Sequence, residues 1–357
     1  MPREKSSPAP GSRVSLKMLA EHLDLSPATV SFVLNNAPNR SIPEATRERV
    51  RAAARKFGYR PNLIARSLRG TNTCTVGILI PVLGEGYHAQ VLSGAADILM
   101  REGYFFFTAH HRHRPDLIAE YPRILHSRGV DGILAIDTHL NESPPAPTVA
   151  VASHAPLAGV TNIVLDSTRA AELAIGHLFR LGHRKIAFMR GQDFSSDSNT
   201  RWRATLQVAR TLGLRISPDL TIHLERDMQS PELGYPGTQH LLMRRRDFTA
   251  IVCFNDISAI GCIRALHDGG LRVPHDVSVI GFDDIQSAHY YVPSLTTIRQ
   301  PLQAMGELAA TTLLKKIGHE RQPETLRVDP ELIVRESTGP VSASKAAPAP
   351  RLRKPKE

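Results

Sequence analysis

The sequence predicts a two-part α + α/β protein: a three-helix helix-turn-helix head at the N-terminus and a large, two-lobed α/β body behind it. Three observations carry this reading. First, charge is unevenly placed. Residues 1–70 hold 13 Lys+Arg against 5 Asp+Glu, and residues 340–357 hold 5 against 1. Residues 71–339 keep 26 against 28, so the formal charge of +10 lies in the head and tail. Second, the head contains two short amphipathic stretches separated by a tight turn. Third, apolar runs of strand length alternate with helical patterns from Val76 onward, which gives parallel sheets with helices on both faces. At 357 residues the chain exceeds the ~250–300 at which one hydrophobic core stops growing, so several lobes are expected.

In the head, Ser15 can cap a helix over Leu16–Leu23, where Leu16, Leu19, Ala20 and Leu23 share one face. Asp24 breaks the pattern and tolerates the left-handed conformation of a tight turn. Ser26 caps a second helix with Pro27 at its first position, where no amide donor is lost. Thr29, Val30, Val33 and Leu34 follow, then the Asn35-Asn36 stop. A third helix starts at Pro43, carries Val50, Ala54 and Phe57, and ends at Gly58. Two short helices joined in this way form a helix-turn-helix. In DNA-binding versions the second helix enters the major groove. That would turn Pro27, Ala28, Thr29 and Phe32 toward base edges and Ser31 and Asn35 toward phosphates. The same bundle could serve as a protein-binding module; the basic charge favours a polyanion. Residues 61–70 could form about two helical turns, too few to be stable alone, and a plain linker is the alternative.

The body candidates sit just after strands, because ligands of open α/β sheets bind at the carboxyl ends of the strands. Tyr87 follows strand 76–81 and Arg201 opens a helix after the 192–199 loop. Asn255 and Asp256 close strand 250–253, and Asp283 follows strand 278–281. Carboxylate, amide and guanidinium groups together suit a polyhydroxylated ligand. Alternatives stand beside two of these: Asp256 could be only a helix cap, and Arg201 could serve an inter-lobe ion pair. Trp202 is assigned to the core.

The stretches Val14-Ser15-Leu16-Lys17, Leu25-Ser26-Pro27-Ala28-Thr29-Val30-Ser31, Val33-Leu34-Asn35, Thr46-Arg47-Glu48-Arg49-Val50, Gly58-Tyr59-Arg60-Pro61-Asn62 and Ala65-Arg66-Ser67-Leu68 closely resemble the LacI/GalR (lac repressor-like) family, and the resemblance runs on to about Thr338. It implies a body of the periplasmic-binding-protein-like (type I) fold. One lobe would comprise 76–175 with 305–325, the other 176–300 with the final strand segment, and the chain would cross between them three times. It also implies a homodimer on a pseudo-palindromic double-stranded operator, with a small-molecule effector in the inter-lobe cleft: a sugar or sugar derivative such as a sugar phosphate by default, with a nucleobase as the alternative. The hinge leucine, here Leu68, would wedge into the minor groove, where an apolar insertion kinks the duplex. The candidate DNA-contact set is then Ser15, Ser26, Pro27, Ala28, Thr29, Ser31, Phe32, Asn35, Asn62, Ala65, Arg66 and Leu68. Where many members have Arg this chain has Phe32, which cannot make a bidentate contact to guanine. The effector set is Tyr87, Arg201, Asn255, Asp256 and Asp283.

The expected domains are a disordered 1–12, a head over 13–60, a hinge over 61–72, a body over 73–339 and a disordered basic tail over 340–357. That tail could add non-specific DNA affinity. Three cysteines without C-x-x-C spacing argue against a disulfide framework or zinc site. His110, His111 and His113 cluster after a strand, with a solvated loop as the default and a metal as the lesser alternative. No nucleophile elbow or phosphate loop is present. The expectation is therefore no catalytic set, cofactor or metal, and no membrane association. The polar N-terminus argues against export, and hence against a transport solute-binding protein. A cytoplasmic, nucleoid-associated dimer is expected, with no leucine heptad for further assembly.

Overall fold

The computed structural model describes residues 14–34, 41–59, 72–84, 86–152, 156–195, 197–225 and 230–342. The chain divides between Thr73 and Cys74 into two compact units.

The first unit is the head. Helices α1 (Leu16–Leu23), α2 (Pro27–Leu34) and α3 (Glu44–Lys56) close on Leu19, Ala20, Leu23, Val30, Val33, Val50, Ala53 and Ala54. The ends are set locally. Ser15 Oγ accepts from the Met18 amide at 3.2 Å, Asp24 adopts φ 57°, ψ 46°, and Ser26 Oγ accepts from the Thr29 amide at 3.1 Å. The Arg49 guanidinium donates to the Leu23 carbonyl at 3.2 Å, fastening α3 to the end of α1. An oxygen at each N-cap and a residue that tolerates the left-handed turn are what the two-helix corner requires.

The second unit holds two sheets. One has the order β11-β5-β4-β3-β1-β2 and is parallel throughout. Its strands are β1 (Thr75–Ile80), β2 (Phe105–His110), β3 (Gly132–Ile136), β4 (Thr148–Val151), β5 (Val160–Leu165) and β11 (Thr325–Val328). Helices α4 (Tyr87–Arg101) and α10 (Leu302–Ile317) pack on one face of it, and α5 (Pro115–Ser127) on the other. The second sheet has the order β12-β10-β9-β8-β6-β7. Its strands are β6 (Ile186–Arg190), β7 (Thr221–His223), β8 (Ala250–Val252), β9 (Ser278–Asp283), β10 (Thr296–Arg299) and β12 (Glu331–Ile333). Only the β10–β12 pair is antiparallel. Helices α6 (Ser167–Arg180) and α7 (Ser198–Thr211) cover one face, and α8 (Tyr235–Arg244) and α9 (Asp256–Asp268) the other. The chain crosses between lobes after β5, after β10 and after β11.

The lobe assignment differs from the sequence expectation at α6. Its apolar face, with Ala170, Ala174, Ile175 and Leu178, packs with Ile186, Phe188 and Val208 of the second lobe, so the first crossing falls near residue 166, not 175. α10 returns the chain to the first lobe and lies hard against α4. A Cβ on Gly306 would sit 2.0 Å from the Val91 carbonyl oxygen, and one on Gly94 2.0 Å from that of Gln303. Close helix approach here rests on two residues without side chains. Among the described residues no helix is long and apolar enough to cross a membrane.

Leu19 is 1% exposed at the centre of the head core. Leu19→Ala should cost about 3 kcal/mol of head stability by cavity creation. Amide hydrogen exchange on the full chain should show faster exchange across α1–α3 and unchanged rates in the body sheets.

Candidate functional site

The cleft between the lobes gathers loops from the carboxyl ends of both sheets. The first lobe contributes Tyr87 and His88 at the start of α4, His113 beyond β2 and Asp137 beyond β3. The second contributes Gln192, Phe194, Ser195 and Asp197 beyond β6, Arg201 on α7, Phe254 and Asn255 beyond β8, Asp283 at the end of β9 and Gln300 beyond β10. The space is about 710 Å³, part of it open to solvent.

Arg201 is held within its own lobe. Its guanidinium pairs with Asp197 at 3.4 Å, donates to the Phe254 carbonyl, and lies over the Phe282 and Phe254 rings at 3.5 and 4.4 Å from their centroids. The ion pair it makes is with Asp197, four residues back at the same helix start, and not the inter-lobe pair that stood as the alternative reading. Stacking between two rings fixes the planar cation while leaving its edge for polar contacts.

Asp283 is 6% exposed and adopts φ 114°, in the region that favours glycine. Such strain persists only where surroundings over-determine it. One restraint is the Gln300 side chain, which donates to Oδ1 at 2.7 Å. Burial pushes the Asp283 carboxyl up to about 7; the Arg201 charge and the Gln300 donor oppose the shift.

Asp256 has a different job from either expected one. It is fully buried and outside the cleft lining. Oδ1 accepts from Thr297 Oγ1 at 2.6 Å and Oδ2 from the Ile285 amide at 2.9 Å. A Cβ at position 281 would lie 2.1 Å from Oδ1, so the carboxylate needs Gly281 beside it. Burial raises its pKa well above the ordinary value, helped by the nearby Asp283 and opposed by its two donors. The helix cap is Asn255: its Oδ1 accepts from the Ser258 amide at 2.9 Å, and Ser258 Oγ accepts from the Asn255 amide at 3.1 Å, a reciprocal capping box.

Tyr87 lines the cleft as expected from its place after β1, and its buried hydroxyl has no hydrogen-bond partner among the described residues. Burial raises its pKa strongly, and Asp137, Asp197 and Asp283 add to the shift. Beside it, His88 Nε2 meets Asp137 Oδ2 at 3.2 Å.

The histidine run is not a solvated loop. His111 is 0% exposed, its Nε2 is 2.9 Å from Thr138 Oγ1, and its Nδ1 accepts from the His113 amide at 3.1 Å. Burial, with the neighbouring His113, pushes it down to about 4, so it is a neutral structural histidine. His113 instead reaches the cleft and packs on Phe194 of the other lobe, ring centroids 4.4 Å apart. Among the described residues no His/Cys/Asp/Glu group could hold a metal ion.

Sequence reasoning missed His88, Asp137, Gln192, Asp197, Phe254 and Gln300. Their only available signal was position at a strand's carboxyl end. In the head, Ser15, Ser26, Pro27 and Ala28 are exposed, and Thr29, Ser31 and Phe32 are half-buried. Ser15 and Ser26 already cap helices. Asn35, Asn62, Ala65, Arg66 and Leu68 lie outside the described residues.

Comparison with known proteins follows this architecture. The model of bacterial regulatory proteins of the lacI family matches residues 15–62, and that of the periplasmic binding protein-like domain matches residues 175–338. The chain is 31% identical over 335 residues to the HTH-type transcriptional repressor PurR of Haemophilus influenzae, covering 90% of this chain and 98% of that one. It is similar to the lac repressor dimer bound to operator and the anti-inducer ONPF (25% identity, TM-score 0.82, 92% of this chain and all of the other). A complex of the transcriptional regulator CelR with cellobiose matches at 26% identity and TM-score 0.66, over 91% of this chain and all of that one.

An acid whose pKa is raised on folding holds its proton longer in the native state than in the unfolded chain. Stability therefore falls as pH rises between the ordinary carboxylate value, about 4, and the native value near 7. Urea unfolding should show that decline, and Asp283→Asn should make it shallower, with Asp256 keeping its own share; an unaltered slope in the variant would remove Asp283 as a source.

Proposed function

The chain belongs to the lacI family of bacterial regulatory proteins, and from that premise we propose that it is a transcriptional repressor. It binds a pseudo-palindromic operator as a homodimer, and its operator affinity is set by a small uncharged polyhydroxylated molecule, a sugar or sugar derivative, in the inter-lobe cleft. On this reading α2 enters the major groove with Pro27, Ala28, Thr29 and Phe32 toward the bases. Ser15, Ser26, Ser31 and Asn35 face the backbone. Asn62, Ala65, Arg66 and Leu68 form a hinge that orders on DNA, with Leu68 in the minor groove. Closure of the cleft alters the spacing of the two heads, so a ligand that favours one lobe arrangement shifts operator affinity by its differential binding. The protein acts at the nucleoid. Its relatives are regulators and not enzymes.

One observation carries the ligand class. The cleft sets aromatic faces, Tyr87, Phe254 and Phe194, beside polar groups able to hold hydroxyls: Asp283, Asn255, Gln192, Gln300 and Arg201. Apolar ring faces and hydroxyl edges are the two surfaces a sugar presents. Charge narrows the class further. Asp137 and Asp283 line the space, while Arg201 and Asp197 answer each other's charge. A phosphate ester would meet repulsion from carboxylates at low local dielectric. The cellobiose bound by CelR is an uncharged ligand of the favoured kind. Arg201 and Asp283 would grip adjacent hydroxyls, and Tyr87 would donate to a ligand oxygen.

Calorimetric titration with a panel of free sugars and their phosphate esters tests the ligand class. An unphosphorylated sugar should bind at least about tenfold more tightly than its phosphate, a difference of about 1.4 kcal/mol; preference for the ester would reject it. The hinge assignment is separate. Leu68→Ala should weaken operator binding by at least about tenfold in fluorescence anisotropy, since an apolar wedge contributes a few kcal/mol. Sugar affinity should not change, and equal losses in both would contradict the hinge.

A further inference from the structure

A second space, about 520 Å³ with part of it open to solvent, lies between α6 and α7 and is lined by second-lobe residues. Its floor is the carboxyl end of the sheet, at Arg190 of β6, Val252 of β8 and Phe282 of β9. This is the edge at which open α/β sheets take ligands. The walls are chiefly apolar: Ala170, Ala174 and Ile175 from α6, Phe188 from β6 and Trp202 from α7. Small residues on α6 leave room where larger ones would have closed the helix pair.

Polar groups aimed into this space have no partner. Ser167 is 8% exposed and Ser198 1%, and both hydroxyl oxygens are buried without a hydrogen bond among the described residues. Arg190 Nε is in the same state, although its Nη2 pairs with Asp193 at 2.7 Å. Buried polar groups are nearly always satisfied, and each orphan costs about 1–3 kcal/mol. Three orphans lining one apolar space are an unusual concentration. They are also complementary: two hydroxyls that can donate or accept, and one N–H that can only donate.

We propose that this space is a second ligand site, which takes a small uncharged molecule with an apolar ring and one hydroxyl or carbonyl oxygen. The ring packs against Phe188, Trp202 and the α6 alanines. Its oxygen accepts from Arg190 Nε and from the Ser198 hydroxyl. Arg201 and Phe254 line both this space and the inter-lobe cleft, so an occupant touches the cleft's cation and its ring from behind. The site does not depend on the identity of the cleft ligand.

Trp202 is the only tryptophan of the chain, which makes its emission a local reporter. The full-length protein should be titrated with cyclohexanol, a non-absorbing ring with one hydroxyl, while Trp202 emission is followed. A saturable shift is expected. Ser198→Ala should weaken it about fivefold, the loss of one hydrogen bond, and Ala174→Leu should abolish it by filling the space. Asp283→Asn should leave it in place. A shift that rises linearly and equally in wild type and Ser198→Ala would overturn the proposal, because the space would then hold solvent alone. A saturable shift lost in Asp283→Asn and kept in Ser198→Ala would also overturn it, because the probe would sit in the cleft. Should Ala174→Leu not fold, the Ser198→Ala comparison decides.

Discussion

The second lobe's half of the cleft hangs on one buried carboxylate. Asp256 joins the start of α9, the backbone after β9 at Ile285 and the side chain of Thr297 on β10. Those are the three segments whose ends carry Asn255, Asp283 and Gln300. The arrangement works only because Gly281 offers no Cβ to collide with Oδ1. A carboxyl with no exposure is expensive to bury unless its oxygens find donors, and here both do. Replacement by an apolar residue would leave an amide and a hydroxyl unsatisfied and loosen the frame that imposes φ 114° on Asp283. The strained carboxyl in the cleft is therefore a consequence of the strut behind it.

The two lobes contribute unequally. The second supplies the guanidinium clamp, the strained carboxyl and the amides of Gln192, Asn255 and Gln300; the first supplies Tyr87, the His88–Asp137 pair and His113. Cation and carboxylate are thus positioned before the lobes meet, by contacts internal to one lobe. What the other lobe adds is a hydroxyl, ring surfaces and the Asp137 carboxylate. The His113–Phe194 stack is contact across the divide. It rests on a loop in which buried, neutral His111 takes the His113 amide, so a residue with no direct part in the cleft sets the height of one that has.

The head was readable almost residue by residue, because its determinants are local: caps at Ser15 and Ser26, a left-handed Asp24, and a 3.6-residue apolar period. The body's alternation was readable too, though less so at β4, β7, β10 and β11, strands of only three or four residues, too short to display a period. Placing α6 with the wrong lobe had another cause: its apolar face is equally consistent with either sheet, and only tertiary contact decides. In the cleft, strand-end position found Tyr87, Arg201, Asn255 and Asp283. The same rule misassigned Asp256, since position cannot tell a residue facing the cleft from its neighbour facing inward. Asp137 and Gln300 were missed because their partners, His88 and Asp283, lie far away in sequence.

Tyr87 links these points. Its hydroxyl is buried without a partner among the described residues, and the carboxylates that perturb it come from both lobes: Asp137 from the first, Asp197 and Asp283 from the second. An unsatisfied buried hydroxyl costs about 1–3 kcal/mol, and that cost belongs to this lobe arrangement alone, because separation of the lobes would return the hydroxyl to water. On the proposed reading, a ligand oxygen placed against Tyr87 would remove that cost in this lobe arrangement. Differential affinity of that kind is what any coupling to DNA requires. The polar atom left unsatisfied here would then be the one through which a ligand selects this arrangement.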